Sequence, residues 1–395
     1  MLKERIKQLA EANATPAYIF DTDILRKKAE QIREIDPKIR LCYAMKANPF
    51  LLQPLDDLAD SFEVCSMGEL RICKAAGLDM KKVVLSGVVK EKDDIATALE
   101  WGVGTYTVES PRQLEYISEC VKAAGTSVNV LLRLTSGNQF GMDRETVERI
   151  IERRSEYPCL SIEGIQYYSG TQKKPRKVLD EINELNALCM DIERKFRFGI
   201  KTLEYGPGLG IEYFSKADES EYLAGCKEAF QSVTDRMQLT IEMGRYLTAD
   251  CGTYVTSVMD VKNNAGKTYC LVDGGINHVN YYGQVMGAKV PPMRFFRKKA
   301  DGFEEAAFDG TRADNGICIC GSLCTAADVL ARNIGLDELN VGDVIVFEKI
   351  GAYSVTEGIY LFLSRNMPRI YICEKGELKL VRDVVETYRL NQGEK

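Results

Sequence analysis

Arg40–Pro49, RLCYAMKANP, is the stretch on which the architecture turns. It opens as an apolar run of strand formers and closes on Lys46, Asn48 and Pro49, which stop a strand. A lysine at the inward, C-terminal end of a strand is costly unless its charge is used or removed. The plain alternative is a lysine that snorkels to the surface at a strand end.

Seven further strand-like segments follow: Ser61–Ser66, Val83–Gly87, Tyr106–Ser110, Val128–Leu134, Ile162–Gly170, Thr202–Gly208 and Gln238–Gly244. Helical patterns separate them, among them Met67–Gly77, Glu91–Gly102 and Ser110–Gly125. Eight strands alternating with helices predict an α/β chain, a closed (β/α)8 TIM barrel preceded by a helix over Asp21–Ile35 with Asp21 or Asp23 at its N-cap. Chemically unusual ends then face one mouth: Lys46, Gln166–Gln172 (QYYSGTQ), Gly206–Gly210 (GPGLG) and Glu242–Arg245 (EMGR).

Beyond Arg245 the pattern changes to strands without long helices. Gly252–Lys262 and Lys267–Gly275 flank an NNAG turn, Val341–Tyr353 reads as a strand, and Arg369–Arg382 reads as a hairpin around Lys375-Gly376. The barrel is expected over 22–251. A β-sandwich or β-barrel-like domain is expected from 1–21 and 252–395, with Thr15–Asp21 joining it. Gly283–Thr311 is polar and irregular and is read as a mobile loop.

With 395 residues, 45% apolar and 28% charged, the chain has the balance of a soluble enzyme. A net charge of −6 argues against nucleic acid or an anionic membrane as main partner. The first twenty residues have no apolar segment of signal-peptide length and no later run could span a bilayer, so a cytoplasmic location is expected. Thirteen scattered cysteines predict reduced thiols. His278 is the single histidine, which excludes a His-rich metal site, and no metal is expected. Cys318 and Cys320 read as buried strand cysteines.

The glycines of 206–210 can bring backbone N–H groups to a phosphate, Thr171 adds a hydroxyl, and Arg245 adds a fixed cation. With a lysine opposite, these elements describe a phosphorylated aldehyde held as a Schiff base, which fits pyridoxal 5'-phosphate. Glu242 beside the pyridine nitrogen would keep it protonated and make the ring a strong electron sink. Its alternative is a buried ion pair with Arg245. Tyr168 could lie flat on the cofactor ring or be an ordinary inward aromatic.

Over nearly the whole chain the sequence resembles the fold-type III pyridoxal-phosphate-dependent decarboxylases, the diaminopimelate and ornithine decarboxylase superfamily. The resemblance is carried by YAMKAN (Tyr43–Asn48), SFEVCSMGEL (Ser61–Leu70), GPGLG, EMGR, DGGIN (Asp273–Asn277), CGSLCTAAD (Cys320–Asp328) and GAY (Gly351–Tyr353). It implies that Lys46 holds the cofactor and Glu242 faces its ring nitrogen. It also implies that Tyr168 takes the ring-stacking place, and that Thr171, Gly208, Gly210, Arg245 and Tyr353 line the phosphate. Cys324 would protonate the substrate carbon from the partner subunit of a homodimer with shared active sites, although taken alone it is only a thiol after a Gly-Ser-Leu turn. Arg245, Cys324, Thr325 and Tyr353 would touch substrate.

Departures from the pattern bear on the substrate. Thr325 stands where diaminopimelate decarboxylases carry a glutamate, and Asn280-Tyr281-Tyr282 where they carry an Arg-Pro pair. A zwitterionic far end therefore lacks charge partners. Tyr168 replaces the family's histidine and Pro207 the second glycine of its triple glycine, removing one N–H. YSGTQ, EMGRYL and SLCTAAD resemble the butirosin-pathway branch, whose members act on a glutamyl group tethered to an acyl-carrier protein. The expectation is decarboxylation of an α-amino acid or a carrier-bound aminoacyl group other than meso-diaminopimelate. Diaminopimelate decarboxylation itself and racemisation are the alternatives within the fold type, and a non-catalytic cofactor carrier the alternative outside enzymes. Arg294, Arg297, Lys298 and Lys299 are candidates for docking an acidic carrier, or a solvated charged loop.

Overall fold

The computed structural model describes residues 2–214, 223–282 and 287–393. It divides into two compact units, residues 26–211 with 218–247, and residues 1–25 with 212–217 and 248–395.

The first unit is the closed parallel barrel. Its strands are β2 (Arg40–Ala44), β3 (Ser61–Val64), β4 (Val83–Leu85), β5 (Thr105–Val108), β6 (Val128–Leu134), β7 (Leu160–Tyr168), β8 (Thr202–Gly206) and β9 (Gln238–Met243), with β9 closing on β2. The helices between them start where the sequence supplies caps. Ser66 Oγ accepts from Glu69 N before Met67–Ala75, Ser110 Oγ from Gln113 N before Pro111–Ala123, and Asp143 Oδ1 from Thr146 N before Arg144–Glu152. Glu91 and Asp94 form a capping box for Lys92–Trp101, which ends on left-handed Gly102. The expected eight strands are all present: β6 has the expected bounds, β7 keeps its length but begins and ends two residues earlier, and the other six are shorter than read, because their last residues belong to the mouth loops.

In the second unit β1 (Ala17–Asp21) pairs antiparallel with β10 (Gly252–Asn264) and parallel with β17 (Arg369–Glu374). Asp21, at its end, accepts from Asp23 N and Ile24 N and so caps the helix Thr22–Arg33. β10 turns through Ala265 and Gly266, both with positive φ, into β11 (Lys267–Val272), and β17 through Lys375 and Gly376 into β18 (Glu377–Arg382). A core of Ile6, Leu9, Ile19, Val255, Phe296, Val344 and Val346 backs the sheet.

Two expectations need correction here. The stretch 283–311 is not an irregular loop: β12 (Met293–Lys299) and β13 (Gly302–Ala306) form a hairpin whose inner residues Phe295 and Phe296 are buried. Residues 283–286 lie outside the described residues. The strand expected over Val341–Tyr353 is only β16 (Val344–Phe347), and Tyr353 itself adopts a left-handed φ of 67°. β14 (Arg312–Cys320) and β15 (Val329–Ile334) complete the sheet. No helix among the described residues is long and apolar enough to cross a membrane.

Candidate active site

Lys46 does not end a strand but sits in the short 3-10 turn Met45–Ala47 just beyond β2, whose neighbours Met45 and Ala47 are buried. That turn carries the amine over the barrel's C-terminal mouth with its side chain 37% exposed. Nζ donates to Glu63 Oε2 at 2.7 Å and to Glu242 Oε1 at 3.4 Å, and lies 3.8 Å from Cys65 Sγ. Cys65 Sγ in turn donates to Glu63 Oε1 at 3.2 Å. Gln166 Nε2 fixes the other oxygen of Glu242 at 3.0 Å.

Burial alone would push both carboxyls up. The charge of Lys46, with hydrogen bonds from Lys46 and Cys65, brings Glu63 below its ordinary value. Glu242 stays above its ordinary value because burial and the charge of Glu63 outweigh Lys46 and the Gln166 amide. Glu63 is therefore the ionised partner of the lysine. A cationic ring nitrogen beside Glu242 would supply the positive charge this second carboxylate needs. The phenol of Tyr168 is raised, chiefly by burial, with the charge of Lys46 opposing and that of Glu242 adding to the shift. Its ring lies over Gly206, where a Cβ would come within 2.6 Å of Tyr168 Cδ2.

Beside this amine two loops lie on one another. Gln172, itself at φ 56°, pairs both ends of its amide with Ile211, accepting from N at 2.7 Å and donating to O at 2.9 Å. Lys173 N donates to Gly208 O at 2.9 Å. Gly208 has φ +57°, and a Cβ there would stand 1.9 Å from Gly170 O, so only glycine permits the approach. A buried cluster ties the loops from behind: Lys173 Nζ donates to Glu181 Oε2 at 2.7 Å, and Glu181 also accepts from Tyr205 OH at 2.9 Å and Ser169 Oγ at 2.5 Å. The loops bring Gly208 against Thr171, with Gly210 two residues further along the same loop and Arg245 opening the short helix after β9. An accessible amine, a carboxylate pair facing it, an overlying aromatic and a glycine-floored loop pair form a donor set that fits pyridoxal phosphate.

Sequence reasoning assigned no role to Glu63, Cys65, Gln166, Glu204, Lys90 or Lys173. An acid inside the apolar run SFEV was the available signal for Glu63. Lys90 is buried and donates to Ser86 O, Gly87 O, Thr107 O and Gln113 Oε1, joining the ends of β4 and β5. Glu109, just past β5, is ion-paired with Arg133.

Cys324 and Tyr353 belong to the other unit. There Asp328 accepts from Ile276 N at 2.8 Å and Leu323 N at 2.7 Å, joining the DGGIN and CGSLC blocks in a tight turn that leaves Cys324 exposed next to Thr325. Tyr353 O accepts from Thr356 N and Glu357 N. Cys318 is buried as expected, while Cys320 is half-buried. The suggested basic loop is a strand whose charges are partly answered: Arg294 makes a two-pronged ion pair with Glu305 at 2.7 Å, and Lys299 meets Glu304 at 3.2 Å.

The family described as pyridoxal-dependent decarboxylase, pyridoxal binding domain, matches residues 22–249. L-glutamyl-[BtrI acyl-carrier protein] decarboxylase of Niallia circulans is 27% identical, with 95% of this chain and 93% of that protein covered. Diaminopimelate decarboxylase of Aquifex aeolicus is 26% identical over 95% of this chain and 91% of its own length. The crystal structure of diaminopimelate decarboxylase from M. jannaschii with L-lysine superposes with a TM-score of 0.83 at 22% identity, covering 98% of this chain and 93% of that one. With its barrel, its mouth lysine and the family match in agreement, the chain belongs to the pyridoxal-dependent decarboxylases, enzymes that use pyridoxal phosphate to remove a carboxyl group from amino acids.

Proposed function

We propose that this enzyme decarboxylates an α-amino acid, or an aminoacyl group on a carrier protein, whose far end carries no free charge. The observation that supports this is Thr325, a neutral side chain beside exposed Cys324, where a cationic far end would need a carboxylate, together with Asn280-Tyr281-Tyr282 where an anionic end would need a guanidinium. The carrier-protein relative fits such a substrate, because a thioester leaves no free distal carboxylate.

In this reading Lys46 would hold the cofactor through its Nζ, and whenever that nitrogen is free and protonated Glu63 would pair with it. Thr171, Gly208, Gly210 and Arg245 would hold the phosphate, and Tyr168 would cover the ring. When bound, pyridoxal phosphate accepts the electron pair left as the Cα–carboxylate bond breaks and carbon dioxide leaves. Glu242 keeps the site anionic where that charge needs a proton-bearing ring nitrogen. Cys324 passes its thiol proton to Cα from the partner subunit of a homodimer and recovers it from water.

A mass-spectrometric product screen over free amino acids, meso-diaminopimelate and carrier-loaded aminoacyl thioesters tests the substrate, with Lys46→Ala as control. Turnover of diaminopimelate in preference to uncharged-end substrates would overturn the assignment. Stereoinversion without carbon dioxide release would replace it with racemisation.

A further inference from the structure

Two buried side-chain oxygens on neighbouring barrel strands have no hydrogen-bond donor among the described residues. Gln166 on β7 and Glu204 on β8 are register partners, so their side chains leave the sheet on the same face. Each residue is 2% exposed. Gln166 commits its amide nitrogen to Glu242, which turns its oxygen the other way. Gln166 Oε1 and Glu204 Oε1 both lack a hydrogen-bond partner among the described residues.

An amide oxygen and an ionised carboxylate are both acceptors, and each left unpaired in the interior is costly. A single proton satisfies both. We propose that Glu204 is a neutral carboxylic acid whose O–H donates to Gln166 Oε1, directly or across one water, and so acts as a positioning residue for Glu242. The proton decides which way the amide faces. If Glu204 lost it, Gln166 would gain by turning its nitrogen toward Glu204, and its oxygen would then oppose Glu242 Oε2.

The groups facing Glu204 favour the neutral form. Burial, then the charges of Glu242 on β9 and Glu63 on β3, hold its carboxyl well above the ordinary carboxylate range, against the opposing pull of Lys46 and of Arg133 on β6. The fifth neighbour, the thiol of Cys42 on β2, is buried and itself pushed up. Glu204 also lines a cavity of about 710 Å³ at the end of the barrel where the strands begin, with Thr105, Asn129, Thr202 and Thr240. Water on that side, away from Lys46, can exchange the proton.

The consequence for Glu242 rests on the functional reading above, whereas the proton on Glu204 does not. Infrared difference spectra of cofactor-free wild type and Glu204→Gln at neutral pH read it directly. A neutral carboxylic-acid carbonyl band present in wild type and missing from the variant is expected, and no such difference overturns the proposal whatever the enzyme's activity. In Gln166→Leu the same band should move to the frequency of an acid without its acceptor; an unmoved band shows that the acid donates elsewhere and also overturns it. Cofactor affinity supplies the positioning readout. Wild type should lose affinity as pH rises through the Glu204 range, and Glu204→Gln, whose amide donates at every pH, should lack that limb. Glu204→Leu should bind the cofactor about tenfold more weakly at neutral pH, the loss expected for one buried hydrogen bond. Superimposable alkaline limbs in wild type and Glu204→Gln would rule out the positioning role.

Discussion

Lys46 Nζ stands 2.7 Å from Glu63 Oε2, and that carboxylate is 4% exposed against 37% for the lysine side chain. On the proposed reading this amine leaves the cofactor in every turnover, and Glu63 is the charged partner placed to receive it. Glu63→Gln should still take up the cofactor but slow turnover by about 100- to 10,000-fold, the scale of a lost acid–base partner. Stopped-flow single turnovers measure this, and equal rates in the two proteins would dismiss Glu63 from the cycle.

The pair Lys173–Glu181 should matter for stability as well as loop geometry. Lys173→Met leaves a buried carboxylate with two hydroxyl donors and the longer, more exposed ion pair to Lys177 at 3.5 Å, and should cost about 3 kcal/mol near neutral pH. Burial opposes, but Lys173 and the hydrogen bonds hold the Glu181 carboxyl below its ordinary value. Its contribution is therefore complete above the ordinary carboxylate range and disappears as pH falls through its folded value. Urea midpoints at about pH 7 and about pH 4 should show the gap between variant and wild type closing on the acid side.

Gly208→Ala tests the loop pair. The added carbon would meet Gly170 O in a backbone conformation costing an L-residue about 1–2 kcal/mol before any clash. The barrel should remain folded, while cofactor affinity in an absorbance titration drops by more than about tenfold. Wild-type affinity would show that the loops do not hold the phosphate.

Lys90→Met removes the donor for three carbonyls and an amide oxygen and should destabilise the barrel by about 3 kcal/mol. Burial brings the Lys90 ammonium down to about 8. Between that value and the ordinary lysine range the unfolded chain binds more protons, so wild type gains stability with rising pH. Denaturation at several alkaline pH values should show the variant's deficit widening; a shrinking deficit contradicts the assignment.

Cys324→Ala should bind the cofactor as wild type does, yet turn over about 100- to 10,000-fold more slowly. Deuterium incorporation from deuterated solvent into the product carbon follows the step. Full activity in the alanine variant would leave the exposed thiol without a chemical role.

The barrel was legible because its strands recur at regular intervals between capped helices, and YAMKAN announced the amine. What escaped reading were single polar residues within barrel strands. Barrel strands are buried on both faces, so alternation does not say which residues of SFEVC or TLEYG point inward, and Glu63 and Glu204 looked like any other strand residue. The hairpin 293–306 was overlooked for a different reason. RFFRKKADGFEEA carries a dense charge pattern that reads as loop, although the Asp301-Gly302 pair inside it is a turn signal. Lys173 gave no hint, because a third lysine-rich position before a helix ordinarily faces water.

The strand at 17–21 has a cost in time. Residue 17 lies between residues 255 and 369, so it waits for the ribosome to deliver nearly the whole polypeptide before both its edges are covered. Until then Tyr18 and Phe20, fully enclosed in the finished protein, are offered to any passing strand. Loss of the hairpin at 369–382 would leave that exposure permanent, and chains truncated there should aggregate even though every residue of the barrel has been made.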